Sequence, residues 1–172
     1  AVWSIYRAPG SGDYWIATAN GLSKIVRFPD FKTGSQNPYR VFPVCKSYIH
    51  SITNPNSIVN NNVWCVFEDH ERMIWIGTID GLSVLNPSTN RFTNYNISQD
   101  NSGLNNSVVK CIYETSDSTM WIGTEGGGLN KYNRKTGKFT YYTKKEGLSS
   151  DIVRGILEDK SGKLWISSSH GI

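Results

Sequence analysis

The feature that most constrains the fold of this chain is a tryptophan-centred phrase that occurs four times. The segments "IWIGTIDGLSVLN" (Ile74 to Asn86) and "MWIGTEGGGLNKYN" (Met120 to Asn133) are nearly the same, and "YWIATANGLSKIV" and "LWISSSHGI" are fainter copies. The anchors are separated by 60, 46 and 44 residues and are Trp15, Trp75, Trp121 and Trp165. A regular period of this length indicates a repeat architecture, in which each unit buries its apolar face only by stacking on a neighbour.

Each unit is predicted to form four short β-strands. An apolar run such as "VWCVF" or "VVKCIY" comes first, followed by a polar turn, the tryptophan strand and a glycine. Two further segments, "GLSVLN" with "RFTNYN" or "GLNKYN" with "KFTYYT", alternate with the strand period of two and are joined by the turns "NPSTN" and "NRKTG". The first strand has no polar face, so it must be covered on both sides. Four-stranded antiparallel sheets repeated at about 40 to 50 residues are typical of β-propeller blades.

The predicted fold is therefore all-β, a partial and open β-propeller of about 3.5 blades with four antiparallel strands per blade. It occupies residues 1–172, and its units are 1–62, 63–107, 108–151 and the truncated 152–172. An insertion at about 29–58 in the first unit is either a functional loop or a tolerated surface segment. Gly81 and Gly128 are predicted to close the turn into the third strand. No Lys-Ser or Lys-Thr pair follows Gly128, so a phosphate-binding loop is excluded.

The four anchor tryptophans are predicted to be structural wedges, and Trp75, Trp121 and Trp165 are expected to be mostly buried between adjacent blades. Composition agrees with an ordered chain, since 38% of the residues are hydrophobic and 16 are glycine. The net charge of +4 is modest and the lysines lie among acidic neighbours, so we expect no nucleic-acid partner. No apolar run approaches the roughly 20 residues that span a bilayer, and we expect no direct membrane contact. The first residues already fit a strand, which indicates an excerpt of a longer protein or a processed chain.

Cysteine and histidine spacing predicts no metal site and no cofactor. Cys65 and Cys111 hold equivalent positions in two units, where we expect unlinked, small, buried side chains; a disulfide between them is the alternative. The histidines share no repeat position and are expected to be exposed loop residues. They are His50, His70 and His170.

Paired carboxylates recur where the first strand of a unit ends. They are Glu68 with Asp69 and Glu158 with Asp159. A glycosidase needs two carboxyl groups facing each other at about 5 to 9.5 Å. Because these pairs are adjacent in sequence and repeat with the blade, we expect the aspartate to accept backbone N–H groups of the turn instead. No catalytic residues are predicted.

The units resemble the two-component regulator propeller repeat. The segments that carry the resemblance are "VFEDHERMIWIGTIDGLSVLN", "MWIGTEGGGLNKYNRKTGKFTYYTKKEGLSSDIV" and "ILEDKSGKLWIS". The first unit departs from the pattern at Ala17, and the fourth at Ser167 to Ser169. The resemblance implies an extracytoplasmic, periplasmic propeller of a membrane-bound hybrid histidine kinase. Such propellers in gut Bacteroides sense breakdown products of polysaccharides.

A ligand site is expected on the rim that gathers the turns between second and third strands with the connections between units. The candidate ligand-binding residues in those turns are Asn20, Asp80, Glu125 and His170. Polar groups beside exposed aromatic rings suit an oligosaccharide. The first function hypothesis is therefore a sensory, carbohydrate-binding module. A noncatalytic scaffold for protein contact is the alternative, and a polysaccharide lyase or hydrolase is the third.

An open arc is also expected to leave a dry face at each end. Trp3, Ile5 and Trp15 would be exposed at the start, and Ile156, Leu164 and Trp165 at the finish. Such faces exceed the apolar area that monomers usually expose. We therefore expect them to be covered either by the rest of the parent propeller or by a second copy, which makes a homo-oligomer.

Overall fold

A computed structural model describes residues 1–27 and 43–172. Within them it contains fourteen β-strands and one short 3-10 helix, Lys144–Glu146. The strands follow the blade order that the sequence predicts. They are β1 Val2–Arg7, β2 Tyr14–Thr18, β3 Gly21–Arg27, β4 Val44–Tyr48, β5 Val63–Glu68, β6 Ile74–Thr78, β7 Gly81–Asn86, β8 Arg91–Tyr95, β9 Val109–Glu114, β10 Met120–Thr124, β11 Leu129–Asn133, β12 Lys138–Tyr142, β13 Val153–Glu158 and β14 Leu164–Ser168.

These strands form three four-stranded sheets and one two-stranded sheet, each a blade. Blades 1, 2 and 3 have the orders β1-β2-β3-β4, β5-β6-β7-β8 and β9-β10-β11-β12, and β13 pairs with β14 in blade 4. All neighbouring strands are antiparallel. The first strands β1, β5, β9 and β13 contact one another from blade to blade, so they are the inner strands of an arc. The prediction of an all-β, open propeller is confirmed.

The insertion predicted at 29–58 is described only in part. Its residues 29–42 lie outside the described ranges. Within the remainder, β4 supplies the fourth strand of blade 1, and its Tyr48 packs on Trp15 with ring centroids 5.8 Å apart. The connection that follows leads into β5, and Ile58 there is fully buried in the core between blades 1 and 2.

The hydrophobic core lies between blades and not within them. One cluster joins Trp15 of blade 1 to Leu85 of blade 2. A second joins Trp75 of blade 2 to Phe139 of blade 3, and the Trp75 indole meets the ring of Tyr132 edge-on at 5.4 Å. Trp15 and Trp75 thus pack in cores to which the third or fourth strand of the following blade contributes.

The expected burial of the anchors is correct for Trp75, which is 2% exposed. It is wrong for Trp165, which is 54% exposed, and Trp121 is only partly buried. The exposure expected for Trp15 at the start of the arc is also wrong, because Trp15 is 1% exposed and packs in the core between blades 1 and 2. Trp121 and Trp165 have less cover than Trp75: among the described strands, blade 4 provides two over Trp121, and none packs over Trp165.

An aspartate on the turn after the first strand holds the tryptophan of the same blade. The indole N–H of Trp75 donates to Asp69 Oδ2 at 2.6 Å, and that of Trp165 donates to Asp159 Oδ2 at 2.9 Å. The other carboxylate oxygen, Oδ1, accepts backbone N–H groups of the turn, including that of Met73 at 2.8 Å. Ala8 stands at this position in blade 1, so the buried indole N–H of Trp15 has no partner among the described residues.

The glutamate before that aspartate joins each blade to the preceding one. Its carboxylate accepts a backbone N–H from the turn between the first and second strands of the preceding blade. Pro9 stands where His70 and Ser116 stand in later blades, and since proline has no N–H the next residue donates instead. The bonds run from Gly10 to Glu68 at 2.7 Å, from His70 to Glu114 at 2.8 Å and from Ser116 to Glu158 at 2.7 Å.

The glycine of the "WIGT" phrase makes room for a cysteine and for the next blade. A Cβ on Gly77 would lie 2.5 Å from Cys65 Sγ and 2.6 Å from a methyl of Val109. Gly123 faces Cys111 and Val153 in the same way. Blades 1 and 4 have other small residues at these two paired positions. Ser4 pairs with Ala17 in blade 1, and Gly155 pairs with Ser167 in blade 4.

The cysteines that pack against these glycines are free thiols in a dry environment. Burial raises the pKa of Cys65 far above its ordinary value, and a smaller contribution comes from Cys111. Burial also raises the pKa of Cys111, to about 12. Both thiols therefore act as small apolar side chains between inner strands.

The glycine–cysteine packing yields a test by paired substitution. We expect Gly77→Ala to lower the free energy of unfolding by about 1 to 3 kcal/mol, because the added methyl overlaps two side chains. Adding Cys65→Ser reproduces the Ser4–Ala17 pair of blade 1 and should restore most of the loss. Urea denaturation measures both effects, and an unchanged stability of the single variant would contradict this account of the packing.

The aspartate–tryptophan pair exists in a buried and an exposed copy, which provides a matched comparison. Removing the fully buried Asp69 by Asp69→Ala should cost about 3 kcal/mol, because it leaves the Trp75 indole without its acceptor and removes one of the carboxylates that pair with Arg134. The same change at the exposed Asp159 should cost much less. Equal losses for the two variants in chemical denaturation would show that burial does not decide the strength of this pair.

Candidate functional site

The structure contains the predicted rim, and hydrogen bonds of side-chain hydroxyl groups and of the backbone form its turns. In each blade the residue that ends the second strand, Thr or Ser, turns the chain by donating its hydroxyl to the glycine carbonyl three or four residues later. The bonds run from Thr18 to Gly21, Thr78 to Gly81, Thr124 to Gly128 and Ser168 to Gly171. These turns make up what we call the upper rim, together with the connections that lead into the next blades.

The turns and connections are tied together across blades. The N–H of Gly81 donates to the carbonyl of Ser107 at 2.7 Å, and that of Gly128 to Asp151 at 2.8 Å. Gly81 and Gly128 have φ of 122° and 68°, which favours glycine, and a Cβ on Gly128 would lie close to the carbonyl of Tyr142. The two glycines are therefore rim-closing residues.

The four sequence-predicted ligand residues all lie on the upper rim, one to each blade. They are not brought into one cluster. Asn20, Asp80 and His170 use their backbone N–H to complete the hydroxyl turns, and their side chains are exposed. Among the described residues, the side chains of Asn20 and Asp80 have no hydrogen-bond or ion-pair partner. Glu125 differs, because its carboxylate pairs with Lys110 Nζ at 2.5 Å.

Lys110 belongs to a row of side chains that sequence analysis did not predict as a site. In every blade the first strand contains one residue that is skipped in the pairing with the second strand, a β-bulge. We call these four residues the axial row, since the first strands are the inner strands. They are Trp3, Trp64, Lys110 and Arg154.

The first three members of the axial row contact one another across blades. The rings of Trp3 and Trp64 stack with centroids 4.9 Å apart and planes inclined by 19°. On the far side of Trp64, Lys110 Nζ lies 3.5 Å from the ring centroid, which is a close cation–π contact. Trp3 keeps 46% of its surface exposed, and Arg154 is exposed. The row therefore begins in an open indole and ends in an open guanidinium.

One signal in the sequence could have identified the row. In "VWSIY", "VWCVF", "VVKCIY" and "IVRGIL", a Ser, Cys or Gly stands at the same position of the first strand. The residue directly before it is Trp, Trp, Lys or Arg. This is a large, variable column inside an otherwise apolar strand. The bulge that removes this column from the alternating pattern can be recognised only from the pairing register of the strands. Composition and repeat period do not give that register.

An ion network holds blades 2 and 3 together at the opposite rim. The guanidinium of Arg134 contacts Asp69 at 3.1 Å and Glu114 at 2.7 Å, and Glu114 also contacts His70 Nδ1 at 2.5 Å. Burial alone lowers the pKa of Arg134, but the charges and hydrogen bonds of Asp69 and Glu114 raise it above its ordinary value. His70 thus belongs to an inter-blade network and not simply to an exposed loop.

The carboxylates at this rim are committed to structure. Glu68 binds the turn of blade 1, and Asp69 binds Trp75 and Arg134. Neither is free to act as an acid, base or nucleophile. Within residues 1–27 and 43–172, no group of His, Cys, Asp and Glu side chains is arranged to hold a metal ion. The same residues include no helix long and apolar enough to cross a membrane.

Successive four-stranded antiparallel sheets, packed face to face around inner first strands, define a β-propeller. Sequence comparison identifies the repeat in three segments. The profile of the family described as "Two component regulator propeller" matches residues 57–80, 102–126 and 147–170, as the resemblance in the sequence predicted.

Solved structures with the same fold include two extracellular domains of hybrid two component systems from B. thetaiotaomicron. One is 23% identical with a TM-score of 0.72 over 97% of this chain, and the other is 22% identical with a TM-score of 0.65 over 98%. The chain spans 22% and 27% of the lengths of those domains. Virginiamycin B lyase from Staphylococcus aureus is 15% identical with a TM-score of 0.67, over 98% of this chain and 49% of the lyase. No curated protein matches the sequence significantly.

Proposed function

We propose that this chain is an extracytoplasmic, periplasmic sensory module of a hybrid two-component sensor kinase, and that it binds an oligosaccharide derived from a polysaccharide. The repeat family and the likeness to extracellular domains of hybrid two component systems support the sensory assignment. The observation that carries the ligand assignment is the axial row. An exposed indole beside the polar turns of the upper rim offers a sugar both a stacking surface and hydrogen-bond partners.

Binding without catalysis fits the state of three of the acidic residues. Glu68 and Asp69 are buried in hydrogen bonds and ion pairs, and Glu125 is paired with Lys110. A lyase or hydrolase would need a free, oriented acid or base near the ligand. The role that we assign to the module is to bind a ligand and pass its occupancy on to the rest of a longer protein.

The test is calorimetric titration of the chain with a panel of neutral and acidic oligosaccharides. We expect at least one ligand to bind, and Trp3→Ala to weaken it by roughly tenfold or more, because a Trp anchor commonly contributes over 1 kcal/mol. Trp165→Ala is the matched control, since it removes an exposed indole outside the axial row. Equal affinities of Trp3→Ala and the parent chain would remove the row from the binding site.

A second candidate function, protein contact through the ends of the arc, is favoured by two apolar faces. The trailing face consists of Leu157, Trp165 and Ile172, which are 60%, 54% and 85% exposed. The leading face includes Ile5, which is 68% exposed. Leu157 and Trp165 occupy the positions at which Phe67 and Trp75 of blade 2 receive blade 3. A second copy could therefore pack its leading face on this trailing face as one blade packs on the next.

This contact predicts a concentration-dependent, head-to-tail homo-oligomer of the isolated chain. Leu157→Glu should shift it to the monomer, because a carboxylate would be buried without a partner. Ile79→Glu, at an exposed apolar residue of the upper rim, should leave the association unchanged. Light scattering measures both, and a monomeric parent chain at high concentration would contradict the contact.

A further inference from the structure

The two ends of the axial row differ in chemistry although all four positions are structurally equivalent. Trp3 and Trp64 make one end aromatic, and Lys110 and Arg154 make the other end cationic. A ligand that extends across the inner strands from blade to blade would therefore meet a stacking surface at Trp3 and Trp64 and positive charge at Arg154. This polarity restricts the ligand more than the presence of an indole alone.

The positive charges at the cationic end are compensated unequally. Lys110 is offset by Glu125 at 2.5 Å and has a side chain only 16% exposed. Arg154, at the same position in the next blade, has no carboxylate or hydrogen-bond partner among the described residues. The uncompensated positive charge in the row is therefore that of Arg154, and a bound anion would offset it.

We propose that the axial row binds a saccharide bearing carboxylates, a uronic-acid oligomer, with a carboxylate against Arg154 and its sugar rings toward the indoles. Carboxylate is the preferred anion because the planar guanidinium can donate to both of its oxygens at once. This inference rests on the proposed oligosaccharide-binding function and specifies the charge of its ligand. It also gives Lys110 a distinct role: held by Glu125, it supports Trp64 and contributes little net charge to the site.

The test compares uronate oligosaccharides with their own methyl esters, which keep the rings and lose the charge. Trigalacturonate and trimannuronate are titrated into the 172-residue chain beside their trimethyl esters and a neutral trisaccharide. We expect at least one free acid to bind roughly ten- to a hundredfold more tightly than its ester. Raising the ionic strength should weaken the free acid and leave the ester unaffected.

Three variants assign the effect to Arg154. Arg154→Gln should reduce acid affinity to that of the ester, while Lys163→Gln, at an exposed cation on the other rim of the same blade, should change nothing. Arg154→Lys should give an intermediate affinity, because it keeps the charge and loses the two-pronged donor geometry of the guanidinium. All three variants are checked for folding by circular dichroism.

The outcomes distinguish failure of the uronate inference from failure of the proposed oligosaccharide-binding function. If acids and esters bind equally, if only the neutral trisaccharide binds, or if Arg154→Gln binds like the parent, the uronate inference fails while the oligosaccharide-binding function stands. If no saccharide in the wider panel binds at all, the proposed function itself fails. Tight acid binding that Arg154→Gln abolishes supports both.

Discussion

The contact between one blade and the next is the constraint on which the whole structure depends. A single blade has an inner strand that is apolar on both faces, such as "VWCVF", so it cannot bury that strand alone. The following blade supplies the missing cover, as Tyr132 does for Trp75. Polar bonds fix the spacing of that contact, because Glu114 of one blade accepts the backbone N–H of His70 in the blade before it. Packing thus supplies the driving force, and the carboxylate sets the register.

The blade architecture could be predicted from the sequence because it follows from periodic features. Tryptophan spacing, strand alternation and Asn- or Gly-containing turns are local signals that repeat, so they reinforce one another. Burial of individual residues could not be predicted as well, because it depends on the neighbouring blade. Trp75 and Trp165 sit in nearly identical phrases, yet one is buried and the other exposed, since only Trp75 has a complete blade packed over it.

The candidate site could also be predicted only in part. The order of the strands was enough to predict that Asp80 and Glu125 lie on one rim, and the structure places them there. The axial row did not follow, because its residues appear in an apolar run as ordinary members of a strand. A bulge at Lys110 interrupts the alternating pattern. The bulge is visible only in the strand pairing, in which Val109 pairs with Thr124 and Cys111 pairs with Gly123. Strand register was therefore the missing information.

Comparison of the blades with one another indicates where ligand specificity can reside in this fold. Positions that keep the same residue type, such as Glu68 and Glu114 or Gly77 and Gly123, have every group engaged in inter-blade contacts. A change there alters the packing of two blades at once. The bulge position is different: it carries Trp, Trp, Lys and Arg in four successive blades that share the same strand pairing. Variation at this position is thus compatible with one packing of the blades, and under the proposed function this column would determine the ligand of a propeller of this repeat.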